Sequence, residues 1–204
     1  MASEGSGARC TVYTVGHSNY TLEDFVVLLK RNGIEVLADV RSQPYSQYTP
    51  HFNEASLKAA LPAHGIQYVF LGKELGGRPH SGDFYDAEGH VLYARLALAP
   101  FFLEGLSRLE KTAAAKRVAL LCSEEDPADC HRRLLIGRVL GERGCNVVHI
   151  RGDGATQTEA ELERAEKRRR DGGQLTLFDM QEKPEWKSTQ SVSPGNRPVS
   201  SSEH

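Results

Sequence analysis

Two cysteines, a histidine and an arginine lie close together in this sequence and carry its clearest chemical signal. The apolar run VALLC ends in Cys122, and an acidic turn leads from it to Cys130, His131 and Arg132. The Asp-Pro pair in that turn is typical of a helix N-cap and first helical position, so we expect a strand before the turn and a helix over residues 127–141 after it. A thiol at a helix N-terminus has a lowered pKa, because the partial positive charge there stabilises the thiolate. The candidate chemistry is therefore nucleophilic or acid–base.

Three further polar clusters follow predicted strands. The first cluster is His17 with Ser18, and the second is Asp39 with Arg41. The third lies in a glycine-rich stretch, where the backbone can approach a ligand closely and cationic side chains can bind an anion. Its candidate ligand-binding residues are Lys73, Glu74, Gly76, Gly77 and Arg78. Because the carboxyl ends of parallel strands meet at one edge of a sheet, these clusters predict one pocket for a negatively charged ligand.

Each residue type suggests a role in such a pocket. One histidine should act as acid or base and one cysteine as nucleophile or contact group, and the candidate catalytic residues are His17, Cys122, Cys130 and His131. We expect Arg41 and Arg132 to hold a phosphate-like group. Ser18 and Asp39 are expected to contact the ligand, and the alternative for Asp39 is to cap its loop or to pair with Arg41 and so orient it.

A metal centre is the less favoured alternative. The same cysteines and histidines could bind zinc or iron through a tetrahedral set of thiolates and imidazoles. However, Cys130 and His131 are neighbours on the predicted helix, where successive side chains point about 100° apart. The CxxC spacing of many metal sites is also absent. We therefore predict no metal site, and the sequence requires no cofactor.

The elements that must position these residues alternate between strand and helix patterns. Short β-rich apolar runs predict five strands, over residues 11–15, 35–40, 67–71, 118–121 and 147–150. Helical patterns separate them, including a long one over residues 87–111 with a break at Pro100. Strands alternating with helices imply parallel pairing, so we predict a three-layer α/β domain with a mostly parallel five-stranded sheet and helices on both faces.

The composition is that of a globular protein with one core. The chain has 204 residues, of which 39% are hydrophobic and 25% charged, and its net charge of -2 gives no overall attraction to nucleic acid or membranes. No apolar run is long enough to span a bilayer and the N-terminus lacks a signal-peptide core, so we expect a cytoplasmic protein without membrane contact. In that compartment all four cysteines should be thiols or ligands, with Cys10 and Cys145 as core residues.

The composition changes along the chain and predicts its organisation. Residues 1–10 should be a flexible N-terminus and residues 11–154 the α/β domain. We expect residues 155–173 to form a charged, solvated helix or linker and residues 174–180 to form a short docking peptide. Residues 181–204, which are rich in serine and proline, should be a disordered tail.

The ordered motifs of the domain resemble a known family. GHSNYTLEDF, LADVRSQPYS with HFN, YVFLGKELGGR and LLCSEEDPADCHR are similar to the bacterial and archaeal family catalogued as domain of unknown function 488. The resemblance covers residues 11–150 and implies a shared pocket without naming its reaction. It places family motif positions at Gly16, His17, Ser18, Asp39, Arg41, Gly76, Gly77, Cys122, Cys130, His131 and Arg132.

A weaker resemblance links LADVR and VALLC to rhodanese-type sulfurtransferases, in which a cysteine after a late strand carries a persulfide. It implies that Cys122 would be that nucleophile. This sequence departs from the rhodanese pattern after Cys122, where Ser123-Glu124-Glu125-Asp126 surrounds the thiol with carboxylates instead of backbone amides. Nearby negative charge raises the pKa of a thiol and opposes an anionic intermediate.

The peptide QLTLF in the C-terminal tail resembles the short motif by which bacterial replication and repair proteins dock on the sliding clamp. Its anchor residues are Gln174, Leu175, Leu177 and Phe178. The resemblance implies the clamp and DNA as partners, and the alternative is a tail that packs on the domain's own surface. Three classes therefore remain open: a DNA-associated repair or processing enzyme, a cysteine sulfurtransferase, and a noncatalytic nucleotide-binding or interaction module.

Overall fold

Five parallel strands and one antiparallel strand form the central sheet of the computed structural model, which describes residues 10–171 and 185–192. In the order of the sheet they lie β3-β2-β4-β1-β5-β6. The strands are β1 Cys10–Gly16, β2 Val36–Asp39, β3 Gln67–Phe70, β4 Val118–Cys122, β5 Cys145–Ile150 and β6 Thr156–Thr158. The prediction of a mostly parallel α/β sheet is confirmed. The antiparallel β6 is a sixth strand, and its short polar sequence TQT gives no strand signal.

The helices lie between the strands and after the last one. They are α1 Leu22–Arg31, α2 Glu54–Ala60, α3 Gly72–Leu75, α4 Tyr93–Leu96, α5 Pro100–Ala113, α6 Arg138–Glu142 and α7 Glu159–Asp171. Two helix predictions differ from the structure. The pattern over residues 87–111 breaks at Pro100 as expected, since Pro100 occupies the first position of α5, but the segment becomes helical only at Tyr93 and residues 87–92 are not helical.

The second difference lies beside the Cys-His segment. The chain does not become helical at Pro127 but makes a turn, in which the Cys130 N–H donates to the Pro127 carbonyl at 3.1 Å. The segment Arg132–Gly137 then forms a π-helix that continues into α6. Cys130 therefore lies at the end of the turn and His131 begins the helical segment, so the two residues do not occupy successive positions of a regular α-helix.

Two apolar cores, one on each face of the sheet, hold the layers together. On β4, Val118 and Leu120 face the core under α3, α4, α5 and α6, whereas Ala119 and Leu121 face the core under α1 and α2. The helices therefore cover both faces, as the three-layer prediction requires. Burial of both faces explains why the parallel strands are continuous apolar runs.

Cys10 and Cys145 form a disulfide, so the prediction that all four cysteines are thiols or ligands is wrong for this pair. β1 and β5 are neighbouring strands whose register places Cys10 opposite Cys145, with Cα atoms 4.7 Å apart. Such proximity depends on the strand order and not on the spacing of the two residues in the sequence. Cys122 and Cys130 are free thiols.

Part of the C-terminal region packs on the domain. α7 is fixed by Arg133, which forms ion pairs with Glu159 at 2.7 Å and Glu166 at 2.6 Å, and by the buried Leu162. The compact unit therefore extends past residue 154, and α7 is not simply a solvated helix. Residues 185–192, for which composition predicts disorder, also contact the domain. None of the helices in the described ranges combines the length and the apolar character that a membrane span requires.

Candidate functional site

A pocket of about 310 Å³ opens at the carboxyl edge of the parallel strands. Cys122, Cys130 and His131 line it together with Arg41 and Arg78. The predicted meeting of these segments at one edge of the sheet is therefore what the structure contains.

The ends of β1 and β4 are joined by further backbone hydrogen bonds beyond the sheet. The His17 N–H donates to the Cys122 carbonyl at 3.0 Å, and the Ser18 N–H donates to the Ser123 carbonyl at 2.9 Å. Gly16 is required for this close approach, because a Cβ atom there would lie 1.7 Å from the Glu124 carbonyl oxygen. The loop after Cys122 is thereby held against the sheet edge.

Cys122, Cys130 and His131 form a compact group that we call the thiol–imidazole cluster. The His131 Nδ1 lies 3.7 Å from the Cys122 sulfur and 4.0 Å from the Cys130 sulfur, and the three ligand atoms are all within 4.8 Å of one another. The opposite nitrogen, Nε2, donates to the Val40 carbonyl at 3.0 Å, which fixes the ring and directs Nδ1 toward the sulfurs. The imidazole can therefore exchange a proton with either thiol.

Gly77 makes room for the imidazole. A Cβ atom at this position would lie 2.7 Å from Cγ of His131. Gly76 packs instead against Ser42, whose hydroxyl would lie 2.4 Å from a Cβ there. These two glycines, predicted to contact a ligand, thus let the loop after β3 approach the pocket wall, and of the two only Gly77 lines the pocket.

Glu124 adds a carboxylate to the cluster. Its Oε2 accepts hydrogen bonds from Cys122 at 2.9 Å and from Cys130 at 3.1 Å. Desolvation works in the opposite direction, yet these thiol hydrogen bonds lower the pKa of Glu124 to about 2. An ionised carboxylate therefore lies directly against both sulfurs.

The two thiols have different acidities. The hydrogen bond with Cys130, together with burial and the Glu124 charge, raises the pKa of Cys122. Burial alone would raise the pKa of Cys130 too, but the hydrogen bonds with Cys122 and His131 and the charge of Arg132 lower it. Burial opposes a charged imidazole, whereas the neighbouring Cys130 sulfur raises the pKa of His131. Cys130 is thus the sulfur that more readily becomes a thiolate.

Arg41 reaches the pocket from a buried network. Its guanidinium binds Asp39 through Nε at 2.9 Å and Nη2 at 2.6 Å, and Nη2 also donates to the Phe52 carbonyl at 2.7 Å. Tyr68 donates to the same Asp39 carboxylate at 2.8 Å. Asp39 is fully buried and absent from the pocket lining, so its observed contacts orient Arg41.

His17 belongs to the same network. Its Nε2 accepts from Arg41 Nη1 at 3.1 Å, its Nδ1 donates to the Ser18 carbonyl at 2.8 Å, and its ring stacks on Phe52. Burial first, and then the Arg41 charge, lower the pKa of His17 to about 4. The imidazole is therefore neutral near pH 7, and both of its nitrogens are engaged away from the thiols.

Other predicted ligand-binding residues lie outside the pocket. Arg132 is buried, and its guanidinium donates to the Glu124 carbonyl and, at 2.7 Å, to the Glu125 carbonyl, so it holds the acidic loop rather than a phosphate group. Ser18 donates to Asn19 at 3.3 Å, in a left-handed backbone conformation with φ of 45°. On α3, Lys73 is exposed and Glu74 pairs with Arg108 on α5. A position next to a strand end therefore did not fix where these side chains point.

Sequence reasoning missed one wall of the pocket. Ser188, Thr189, Gln190 and Val192, from the tail predicted to be disordered, line it. The Ser188 N–H donates to the Val91 carbonyl at 2.9 Å, and Trp186 Nε1 donates to the Leu134 carbonyl at 2.8 Å. The single tryptophan within this polar tail was the available signal, since a large aromatic side chain usually packs against something.

The fold and this site define an α/β protein with a thiol–imidazole cluster at the carboxyl edge of a parallel sheet. Residues 21–139, more than half of the chain, match the model of the family described as domain of unknown function DUF488. The chain belongs to this family. No curated protein and no solved structure matches it. The resemblance to rhodanese-type sulfurtransferases receives no support from these comparisons.

Proposed function

We propose that this protein is a nucleic-acid-associated enzyme whose reacting centre is the thiol–imidazole cluster. The observation that carries the proposal is the convergence of two sulfurs and one imidazole within 4.8 Å in a pocket that also contains Arg41 and Arg78. A thiol with an adjacent, oriented imidazole is a recurrent arrangement for nucleophilic and acid–base chemistry. Of the two candidate bases, His131 faces the sulfurs, whereas His17 holds Arg41.

The rim of the pocket suits a phosphate-bearing ligand with bases. Arg78 is exposed and lines the pocket, and Arg41 adds a second guanidinium that Asp39 keeps in place. Tyr45, which also lines the pocket, is 76% exposed, and Tyr48 on the same loop is 85% exposed. Exposed aromatic rings beside guanidinium groups are the combination by which proteins bind single-stranded nucleic acid.

Binding is tested with a fluorescently labelled single-stranded oligonucleotide. We expect Tyr45→Ala to weaken binding by about 1–3 kcal/mol through loss of base stacking. Arg78→Ala should weaken binding to all oligonucleotide sequences alike. It should also reduce the slope of log binding constant against log salt concentration by about 1, the value expected for one lost phosphate contact. Lys73→Ala is the matched control, because it removes an exposed positive charge on α3, outside the pocket lining. An equal loss in the control would mean that general surface charge, and not the pocket, binds the oligonucleotide.

The chemistry is tested separately from binding. Mass spectrometry of the oligonucleotide after incubation should reveal a covalent change with the wild-type protein and none with Cys130→Ser, while both proteins still bind it. An unchanged oligonucleotide after incubation with the wild type would contradict the enzymatic part of the proposal and favour a binding module.

We further propose that the QLTLF peptide brings the enzyme to the bacterial sliding clamp. Gln174, Leu175, Leu177 and Phe178 lie outside the described residues, and the support for this proposal is the resemblance of the peptide to clamp-docking motifs. A pull-down with purified clamp should recover the wild type and lose a Leu177→Ala, Phe178→Ala variant. Thr176→Ala is the matched control within the same peptide. Equal recovery of all three proteins would contradict the proposed docking.

A further inference from the structure

We propose that the thiol–imidazole cluster is a zinc site, in which Cys122, Cys130 and His131 bind Zn²⁺ and leave a coordination position open to the pocket. This inference rests on the proposed reacting centre and names the cofactor of that centre. It reverses the prediction of no metal site.

The spacing of the donor atoms fits a tetrahedral ion. With Zn–S near 2.3 Å and Zn–N near 2.1 Å, a tetrahedral centre separates sulfur from nitrogen by about 3.6 Å. The observed distances from His131 Nδ1 to the sulfurs of Cys122 and Cys130 are 3.7 and 4.0 Å. The nitrogen–sulfur distances therefore differ from the tetrahedral separation by a few tenths of an ångström, and the two sulfurs lie within 4.8 Å of each other.

The turn before the helix removes the geometric objection raised by the sequence. Cys130 lies on the turn and His131 at the entry to the π-helix, so the angle of about 100° between successive α-helical side chains does not apply. The donor atoms of Cys130 and His131 both lie within 4.8 Å of the Cys122 sulfur.

A second-shell hydrogen bond prepares His131 for metal binding. Nε2 donates to the Val40 carbonyl at 3.0 Å, and Nδ1 is directed at the sulfurs. Metal-binding histidines characteristically donate their distal N–H to a carbonyl or carboxylate, which fixes the tautomer that can bind the ion. The ring is also confined by Gly77, which leaves no room for a side chain.

Glu124 distinguishes a metal site from a nucleophilic cysteine. A carboxylate oxygen lies 2.9 and 3.1 Å from the two sulfurs, and negative charge beside a thiol opposes formation of the thiolate unless a cation also binds there. Three groups that can each carry a negative charge have been brought together, and a divalent cation compensates such a set. Two thiolates with an imidazole favour zinc over the oxygen-binding ions magnesium and calcium.

Because the three proposed zinc ligands all line the pocket, a fourth coordination position would be accessible from it. Three protein ligands and one open position are typical of catalytic rather than structural zinc. The open position would take water or an oxygen of a phosphate-bearing ligand, beside Arg41.

The test is the metal content of the full-length protein, prepared under reducing conditions and measured without any substrate. We expect about one zinc per chain in the wild type. Cys122→Ser, Cys130→Ser and His131→Gln should each lose most of it. The Cys10→Ser, Cys145→Ser variant is the matched control, because it removes two sulfurs outside the cluster and should keep its zinc.

Cobalt substitution and thermal unfolding give readouts that do not depend on a purified holoprotein. Cobalt added to the reduced apoprotein should produce a thiolate charge-transfer band and the intense visible bands of a tetrahedral site. Zinc should raise the unfolding temperature of the wild type and leave that of Cys130→Ser unchanged, which also reveals whether the variant is folded. A reduced wild type that binds neither ion, or cluster variants that keep full metal content, would overturn the inference. Oligonucleotide binding is measured independently, so failure of the zinc site is distinguishable from failure of the proposed function.

Discussion

The buried imidazole of His17 predicts a specific loss of stability at acidic pH. In the folded protein its pKa is lowered from 6.5 to about 4 by burial and by Arg41. The unfolded chain therefore takes up a proton that the folded chain does not bind. Stability from this group is fully present above pH 6.5 and is lost as the pH falls toward 4.

The size of the effect follows from the two pKa values. Proton linkage gives a loss in the free energy of unfolding of about 1 kcal/mol at pH 6, about 2 kcal/mol at pH 5 and about 3 kcal/mol at pH 4. Other groups titrate in the same range, so the informative quantity is the difference between the wild type and His17→Gln. A glutamine amide can still accept from Arg41, but it cannot take up the proton.

Urea unfolding at several pH values between 7 and 4 measures this difference. The wild type should lose about 3 kcal/mol more than His17→Gln over that range. His64→Gln, which replaces an exposed histidine, controls for the removal of a histidine as such. Parallel curves for the wild type and His17→Gln would refute the reasoning, because they would mean that His17 binds protons equally well in the folded and unfolded chains.

Three further predictions concern the surroundings of the site. Gly77→Ala should displace the imidazole and lower the zinc content measured by elemental analysis, with less effect on the unfolding temperature, because a Cβ atom would lie 2.7 Å from the ring. Arg133→Met should loosen α7 and cost about 1–3 kcal/mol, visible as faster hydrogen exchange in that helix, because it removes the two ion pairs by which Arg133 holds Glu159 and Glu166. Reduction of the Cys10–Cys145 disulfide should lower the free energy of unfolding by about 2–4 kcal/mol in urea titrations. The first prediction is contradicted by a normal zinc content in Gly77→Ala, and the second by equally slow hydrogen exchange in α7 of Arg133→Met. The third is contradicted if reduction of the disulfide leaves the free energy of unfolding unchanged.

The sequence predicted the parts of this protein that depend on local patterns. Apolar β-rich runs indicated the five parallel strands, and polar residues after them indicated the edge at which the pocket lies. The parts that it did not predict depend on neighbours distant along the chain. The disulfide follows from the register of β1 with β5, and the pocket wall at residues 185–192 follows from contacts of a tail that has no regular pattern.

Arg132 illustrates the same limit at the level of one side chain. Its position after Cys130 and His131 predicted a guanidinium facing a phosphate group, since the backbone of that segment lies at the sheet edge. The side chain instead turns inward to the carbonyls of Glu124 and Glu125. A sequence gives the order of residues along the chain, whereas the direction of a long side chain depends on which unsatisfied acceptors lie within its reach.

The inward direction of Arg132 explains how a carboxylate can be kept beside two sulfurs. Glu124 lies on a loop whose Glu124 and Glu125 carbonyls accept hydrogen bonds from Arg132. The segment after β1 also holds this loop through the Ser18 N–H, and Gly16 lets the loop approach closely. Arg151 adds ion pairs from β5's carboxyl end to the same acidic loop. A loop with this many attachments has little freedom to move Glu124 away from the thiols. The negative charge at the cluster is therefore built into the fold, and this is the physical reason why a cation is the expected occupant of the site.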